Sequence, residues 1–156
     1  MISDRTSPTG LDVLRGVSDG TQQLPPAAAL LGWQPLTLEP GHVRVRYAAR
    51  EEFYNPQGNV QGGFLAAMLD DTMGPALFTL LPLDRFAPTL EMKVSFLRPA
   101  KAGTLIGDGR VVQSSRSIAF LEGTLSTEDG ELVATATATA RIMEWSKEEP
   151  LSGDLG

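Results

Sequence analysis

The chain has no cysteine, a single histidine (His42), and only two tryptophans and two tyrosines among its 156 residues. The missing cysteines exclude disulfides and thiolate chemistry. Structural zinc sites draw on Cys and His, so no metal is expected. No apolar run reaches the roughly 18 residues of a membrane span. The opening Met-Ile-Ser-Asp-Arg has no apolar leader stretch. A cytoplasmic protein with no membrane partner is the expectation. Basic residues are scarce too: 13 Lys and Arg against 19 Asp and Glu give a formal charge of −6. Phosphate backbones need a basic face, so nucleic acid is not an expected partner.

What remains is sufficient for one globular core, with 42% hydrophobic residues. Residues 1–24 read as an N-terminal extension, 25–144 as the main domain, and 145–156 as a charged, flexible tail. Within the extension, residues 1–10 read as frayed. Leu11, Leu14 and Val17 have helical spacing up to Gly20. Pro25 to Gly32 reads as a second short helix, with Pro opening it and Gly closing it. Trp33–Glu39 predicts a strand. Pro40-Gly41 marks a turn, and Val43, Val45 and Tyr47 alternate with His42, Arg44 and Arg46 in a half-exposed strand. Phe64 to about Leu81 is the one long helix. Pro75 cannot donate to the Asp71 carbonyl, so a kink or break is expected there. Leu90, Met92, Val94 and Phe96 alternate in the next strand. Strands follow over 104–114 and 117–127, with an Asp-Gly turn at Asp129-Gly130 and a last strand over 132–143. The Ala-Thr alternation over 134–140 places small Ala136 and Ala138 under the long helix. Short connections between these strands favour an antiparallel sheet. The expected class is α+β: an antiparallel sheet wrapped around one long central helix, a hot-dog shape.

One stretch carries chemistry: Asn55-Pro-Gln-Gly-Asn-Val-Gln61-Gly62-Gly63, then an apolar helical run to Asp70-Asp71. Backbone N–H groups at a helix start are unpaired and suit a developing negative charge. A carboxylate on an apolar helix is costly unless it has a partner or a task. An oxyanion donor and an acid/base group on one element suggest acyl transfer. Asp70 and Asp71 point about 100° apart, so both are not expected to face one site. Asp71 reads as structural or at the site's edge.

On these residues the chain resembles the hot-dog acyl-CoA thioesterases of the phenylacetate-degradation type, within the 4-hydroxybenzoyl-CoA thioesterase superfamily. The similarity runs from about Leu30 to Met143. Asn55 stands first in the family motif, Gln61-Gly62-Gly63 stands where His-Gly-Gly is usual, and Asp70 takes the carboxylate place. Thr89 opens a strand ending in Pro99-Ala100, as in the family. The resemblance implies an acyl-CoA thioesterase. In it the Gly62 N–H polarises the thioester carbonyl, and Asp70 acts as general base or nucleophile. Thr89 holds Asp70 or the water, and Asn55 binds near the carbonyl or the attacking water. Gln61 replaces the histidine and cannot titrate near neutral pH as His does. The resemblance also implies a site shared across a dimer, with Asn55 and Gly62 from one subunit and Asp70 and Thr89 from the other. A homodimer is the minimum assembly and a homotetramer the expected one. Coenzyme A belongs to the substrate, and no separate cofactor is expected.

Arg98, Lys101 and Arg116 lie at strand ends in an otherwise acidic chain, where they suit coenzyme A phosphates or plain solvation. By resemblance, the Ser115-Arg116-Ser117 turn lies where the family contacts the nucleotide. Phe64, Met68, Met73 and Phe78 could line an acyl tunnel or simply fill the core. Two other readings stand beside the first. One is a non-catalytic acyl-CoA binder. The other is a hot-dog hydratase or dehydratase, for which His42 is the only available histidine.

Overall fold

The computed structural model describes residues 7–146. Of the fraying expected over residues 1–10, positions 1–6 lie outside the described residues, as does the tail over 147–156; Thr9 and Gly10 are instead held as the start of a helix, the Gly10 N–H bonding the Leu81 carbonyl at 3.0 Å. Helix α1 (Gly10–Asp19) starts at Thr9, whose backbone N–H donates to Asp12 Oδ2 at 2.9 Å. Helix α2 spans Pro26–Leu31. Both end on a left-handed glycine, Gly20 and Gly32, the residue type that adopts this geometry without a Cβ clash. The two short helices therefore form as the spacing predicts.

Six strands make the main sheet: β1 (Gln34–Glu39), β2 (His42–Ala49), β4 (Thr89–Phe96), β5 (Gly103–Ser114), β6 (Ile118–Thr127) and β7 (Leu132–Arg141). Their order is β1-β2-β5-β6-β7-β4, antiparallel throughout. On β2, Val43, Val45 and Tyr47 are buried, while Arg44 and Arg46 face out, as their alternation predicts. A second, two-stranded sheet that no local pattern announced pairs β3 (Arg85–Phe86) with β8 (Met143–Glu144). It extends order beyond the last main strand: Trp145 donates its backbone N–H to Asp84 at 2.9 Å and stacks on Phe86. Residue 145 is thus held in place, where a flexible tail was expected.

Helix α3 (Gly62–Phe78) carries apolar side chains on nearly every side and is covered by the sheet. Met68, Leu69 and Met73 are fully buried. Burial of each such side chain contributes roughly 1.5–3 kcal/mol. Ala136 and Ala138 are buried as expected, but the closest approach is on β5. A Cβ at Gly107 would overlap Thr72 Oγ1, and one at Gly109 would stand 2.7 Å from the Thr72 carbonyl oxygen. These two glycines let the helix lie against the sheet. Tyr47 locks the contact, its hydroxyl bonded to the Met68 carbonyl at 2.9 Å and to Thr72 Oγ1 at 2.8 Å.

The break expected at Gly74-Pro75 does not occur, and α3 runs through Pro75 to Phe78. Pro75 does free the Asp71 carbonyl. The Trp33 indole N–H takes it at 3.3 Å, so the lost helical bond is replaced from outside.

Candidate active site

Thr89 opens β4, and β4 closes the sheet beside β7. That placement brings Thr89 against the middle of α3, where its hydroxyl donates to Asp70 Oδ1 at 2.8 Å. Asp70 is half-buried, and no other hydrogen bond to its carboxylate is present among the described residues. A hydroxyl fixes one oxygen and the other remains free to meet a water. The groove beside this pair has a volume of about 430 Å³ and is walled by Ala67, Gly74, Pro75, Ala87 and Pro88, with Ala27 and Leu31 of α2.

The other half of the motif lies at the start of α3. Gln61 is the N-cap, with φ −60° and ψ 139°, and Gly62 is the first helical residue. The Gly62 N–H meets no acceptor among the described residues, as expected of a helix start. Asn55 Oδ1 accepts the backbone N–H groups of Gln57 and Asn59, both at 3.1 Å. Asn55 therefore does form a turn, while its amide nitrogen stays without a partner among the described residues. A second groove of about 380 Å³ brings Asn55, Gly62, Phe96 and Arg98 together. Gln61 is exposed and its side chain makes no hydrogen bond among the described residues.

The two halves are separate within one chain. Gly62 and Asp70 are eight residues apart on one helix, about 12 Å along its axis, and they line different grooves.

The five candidate coenzyme contacts fall into two groups. Arg98 bonds the Leu132 carbonyl at 3.0 Å and pairs with Glu131 at 3.0 Å, while lining the Gly62 groove. Lys101 donates to the Gly58 carbonyl and lies over the Tyr54 ring. Ser115 is spent inside its own turn, bonded to Ile118. Arg116 and Ser117 line a third groove of about 330 Å³. Arg85 and Arg141 join them there, two cations that no local motif announced.

His42 Nε2 lies 3.0 Å from Asp108 Oδ1, and its Nδ1 lies 3.5 Å from Glu39. It is held among surface carboxylates rather than at either half of the motif. Among the described residues no cluster of three His, Asp or Glu side chains is placed to hold a metal. Met68 and Met73 are core, Phe64 stacks on Phe53, and Phe78 lines an apolar cavity on the far side of Asp71. Burial, and then the neighbouring charge of Asp70, push the Asp71 carboxyl up to about 7.

A sheet wrapped around one long helix is the hot-dog fold. The family model of the thioesterase superfamily matches residues 57–134, half of the chain. The chain belongs to the thioesterase superfamily. It is similar to a phenylacetic acid degradation-related protein and candidate thioesterase from Ralstonia eutropha, with 37% identity and a TM-score of 0.78, covering 83% of this chain and 98% of that one. A candidate esterase of Saccharolobus solfataricus is 29% identical over 109 residues, covering 69% of this chain and 76% of the relative. A thioesterase structure from Streptococcus pneumoniae with coenzyme A shares the fold at TM-score 0.67 and 23% identity, covering 72% of this chain and 86% of that one.

Proposed function

We propose that the protein hydrolyses an acyl- or aryl-CoA thioester to the free acid and coenzyme A, and that it does so as a homodimer or a homotetramer built from it. Each site takes Gly62 and Asn55 from one subunit and Asp70 and Thr89 from the other. The observation that carries this reading is the Thr89–Asp70 hydrogen bond on one groove, with the unpaired Gly62 N–H on another.

The exposed edge of the sheet supports the pairing. Among the described residues strand β4 has a partner on one side only, and Leu90 and Phe96 on it are 58% and 53% exposed. An eight-residue edge strand leaves backbone N–H and C=O groups open to a second strand. Phe96 lies against Gly62, so covering this edge would also cover the oxyanion half-site.

In the reaction the thioester carbonyl oxygen accepts the Gly62 N–H. Asp70 takes a proton from water as the water oxygen bonds to the carbonyl carbon. The tetrahedral intermediate then expels the thiolate, which receives that proton from Asp70 and leaves as the thiol. Thr89 keeps the Asp70 carboxylate oriented, and the Asn55 amide nitrogen can donate to the carbonyl or the water. A general base contributes ~10²–10⁴-fold, and one oxyanion donor ~10²–10³-fold. Gln61 takes no proton in this scheme. Coenzyme A enters only as part of the substrate, with Arg98, Lys101 and the Ser115-Arg116-Ser117 turn as its candidate contacts. The neighbour solved with coenzyme A supports this substrate class.

The test is thiol release from a panel of acyl-CoA and aryl-CoA esters by the wild type and Asp70→Asn. Loss of turnover with an unchanged melting temperature is expected. Near-normal hydrolysis by the variant would refute the assignment.

A further inference from the structure

Two small residues of α3 share the face that carries Asp70. Ala67 precedes it by three positions and Gly74 follows it by four, and both line the Asp70 groove. Helical side chains lean toward the N-terminus, so a side chain at position 74 would lie over the turn that holds Asp70. Gly74 has none. Outside its own helical turn, a Cβ there would meet no atom within 4 Å among the described residues.

This glycine differs from those that serve the fold. A Cβ at Gly109 would stand 2.7 Å from the Thr72 carbonyl oxygen, and one at Gly123 would stand 2.9 Å from Met73 Cγ. Gly20 and Gly32 end helices at positive φ, which Gly74 does not adopt. Its one local duty is to Pro75, whose ring crowds the side chain of a helical residue before it. That duty bears on stability alone. The open space beside Asp70 bears on the substrate.

We propose that Gly74 is a specificity-determining residue, whose missing side chain admits acyl groups branched at the carbon next to the thioester carbonyl. The inference rests on the thioesterase reading. A base reaches its water at about 3 Å and the water meets the carbonyl carbon at about 3–3.5 Å, so that carbon sits within about 7 Å of the Asp70 carboxylate. Positions 70 and 74 are about 5–6 Å apart between Cβ atoms. Substituents on the adjacent acyl carbon therefore come within reach of a side chain at 74. The wall next to Gly74, made by Pro75, Ala87, Pro88 and Leu31, has apolar side chains. It suits an acyl group better than the pantetheine arm, whose amides need hydrogen-bond partners.

The experiment measures thiol release from butyryl-CoA, 2-methylpropanoyl-CoA and cyclohexanecarbonyl-CoA by the full-length wild type, Gly74→Ala and Gly74→Leu. The wild type should turn over all three. Normalising each variant to the wild type cancels the intrinsic reactivity of the esters. One carbon in a pocket is worth about 10–200-fold, so Gly74→Ala should lower kcat/KM for the cyclohexanecarbonyl ester about tenfold or more relative to butyryl-CoA. Gly74→Leu should widen that gap further. Pro75→Ala, with and without Gly74→Leu, repeats the comparison where no proline ring crowds position 74, and the gap should persist. A duty confined to Pro75 predicts a lower urea midpoint for Gly74→Ala and equal losses on all esters. That result overturns the proposal, as does a wild type active on butyryl-CoA but inactive on both branched esters. Absence of thiol release from every ester refutes the thioesterase reading instead. Calorimetric titration of butyryl-CoA and cyclohexanecarbonyl-CoA into Asp70→Asn, with and without Gly74→Leu, then decides on binding alone. Selective loss of the cyclic ester's affinity upholds the proposal, and an equal change in both overturns it.

Discussion

The two faces of α3 that meet at Asp70 and Asp71 differ more than adjacent carboxylates usually do. Asp70 opens onto a groove and is held by the Thr89 hydroxyl at 2.8 Å. Asp71, one residue on, turns about 100° away toward the N-terminal helices, and its Oδ2 is buried without a partner among the described residues. An ordinary hydrogen-bonded carboxylate beside a groove suits a group that takes and returns a proton. A buried carboxyl raised to about 7 by burial and the charge of Asp70 is close to half ionised at neutral pH. Sequence adjacency therefore says little about shared function on a helix; the face decides.

The largest expected effect is at the Asp70 face. Asp70→Asn keeps the shape and the Thr89 contact, yet should lower kcat by ~10²–10⁴-fold in a thiol-release assay. Asp71→Asn should fall far short of that, and an equal loss from both variants would erase the difference between the faces.

Gly62→Pro comes next. Proline is tolerated at the first helical position and needs an extended residue before it, which Gln61 supplies at ψ 139°. The N–H is removed, and the ring's Cβ would stand 3.1 Å from Phe96 Cζ, so kcat should fall by ~10²–10³-fold or more while the helix persists, as circular dichroism would report.

The pH dependence of stability sharpens the Asp71 side. Its folded carboxyl holds a proton up to about 7, whereas the unfolded carboxyl releases it near 3.8. Between these values the folded chain binds more protons than the unfolded one, so stability falls as pH rises through the window and levels off above it. The slope is at most about 1.4 kcal/mol per pH unit. Asp71→Asn should flatten it, as measured by urea midpoints at pH 5 and pH 8.

Smallest is Trp33→Phe. It removes the bond to the Asp71 carbonyl that Pro75 left free, and should cost ~1–3 kcal/mol in the same urea assay.

Much of the Asp70 face was legible in the sequence, and little of the Asp71 face was. The Gly62-to-Asp70 spacing and the Thr89 strand are local patterns, and the fold joins Thr89 to Asp70 as the resemblance implied. Which sheet position β4 occupies is a long-range matter that periodicity does not contain. The same holds for the close approach at Gly107 and Gly109, where the alternation of Ala136 and Ala138 drew attention to β7, two strands away, instead. Pro75 predicted a break because the local rule sees only the lost helical bond. Trp33, distant in sequence, replaces it. The cavity at Asp71 depends on α1 and α2 covering α3, and no spacing within α3 announces that.

The central claim is that one chain holds half of each site. Mixing Gly62→Pro and Asp70→Asn proteins under conditions that exchange subunits tests it directly. Random pairing makes half of the dimers mixed, and each mixed dimer keeps one intact site, so activity should return to about a quarter of wild type. Activity that stays at the level of the two inactive parents, with exchange verified by mass, would contradict the account.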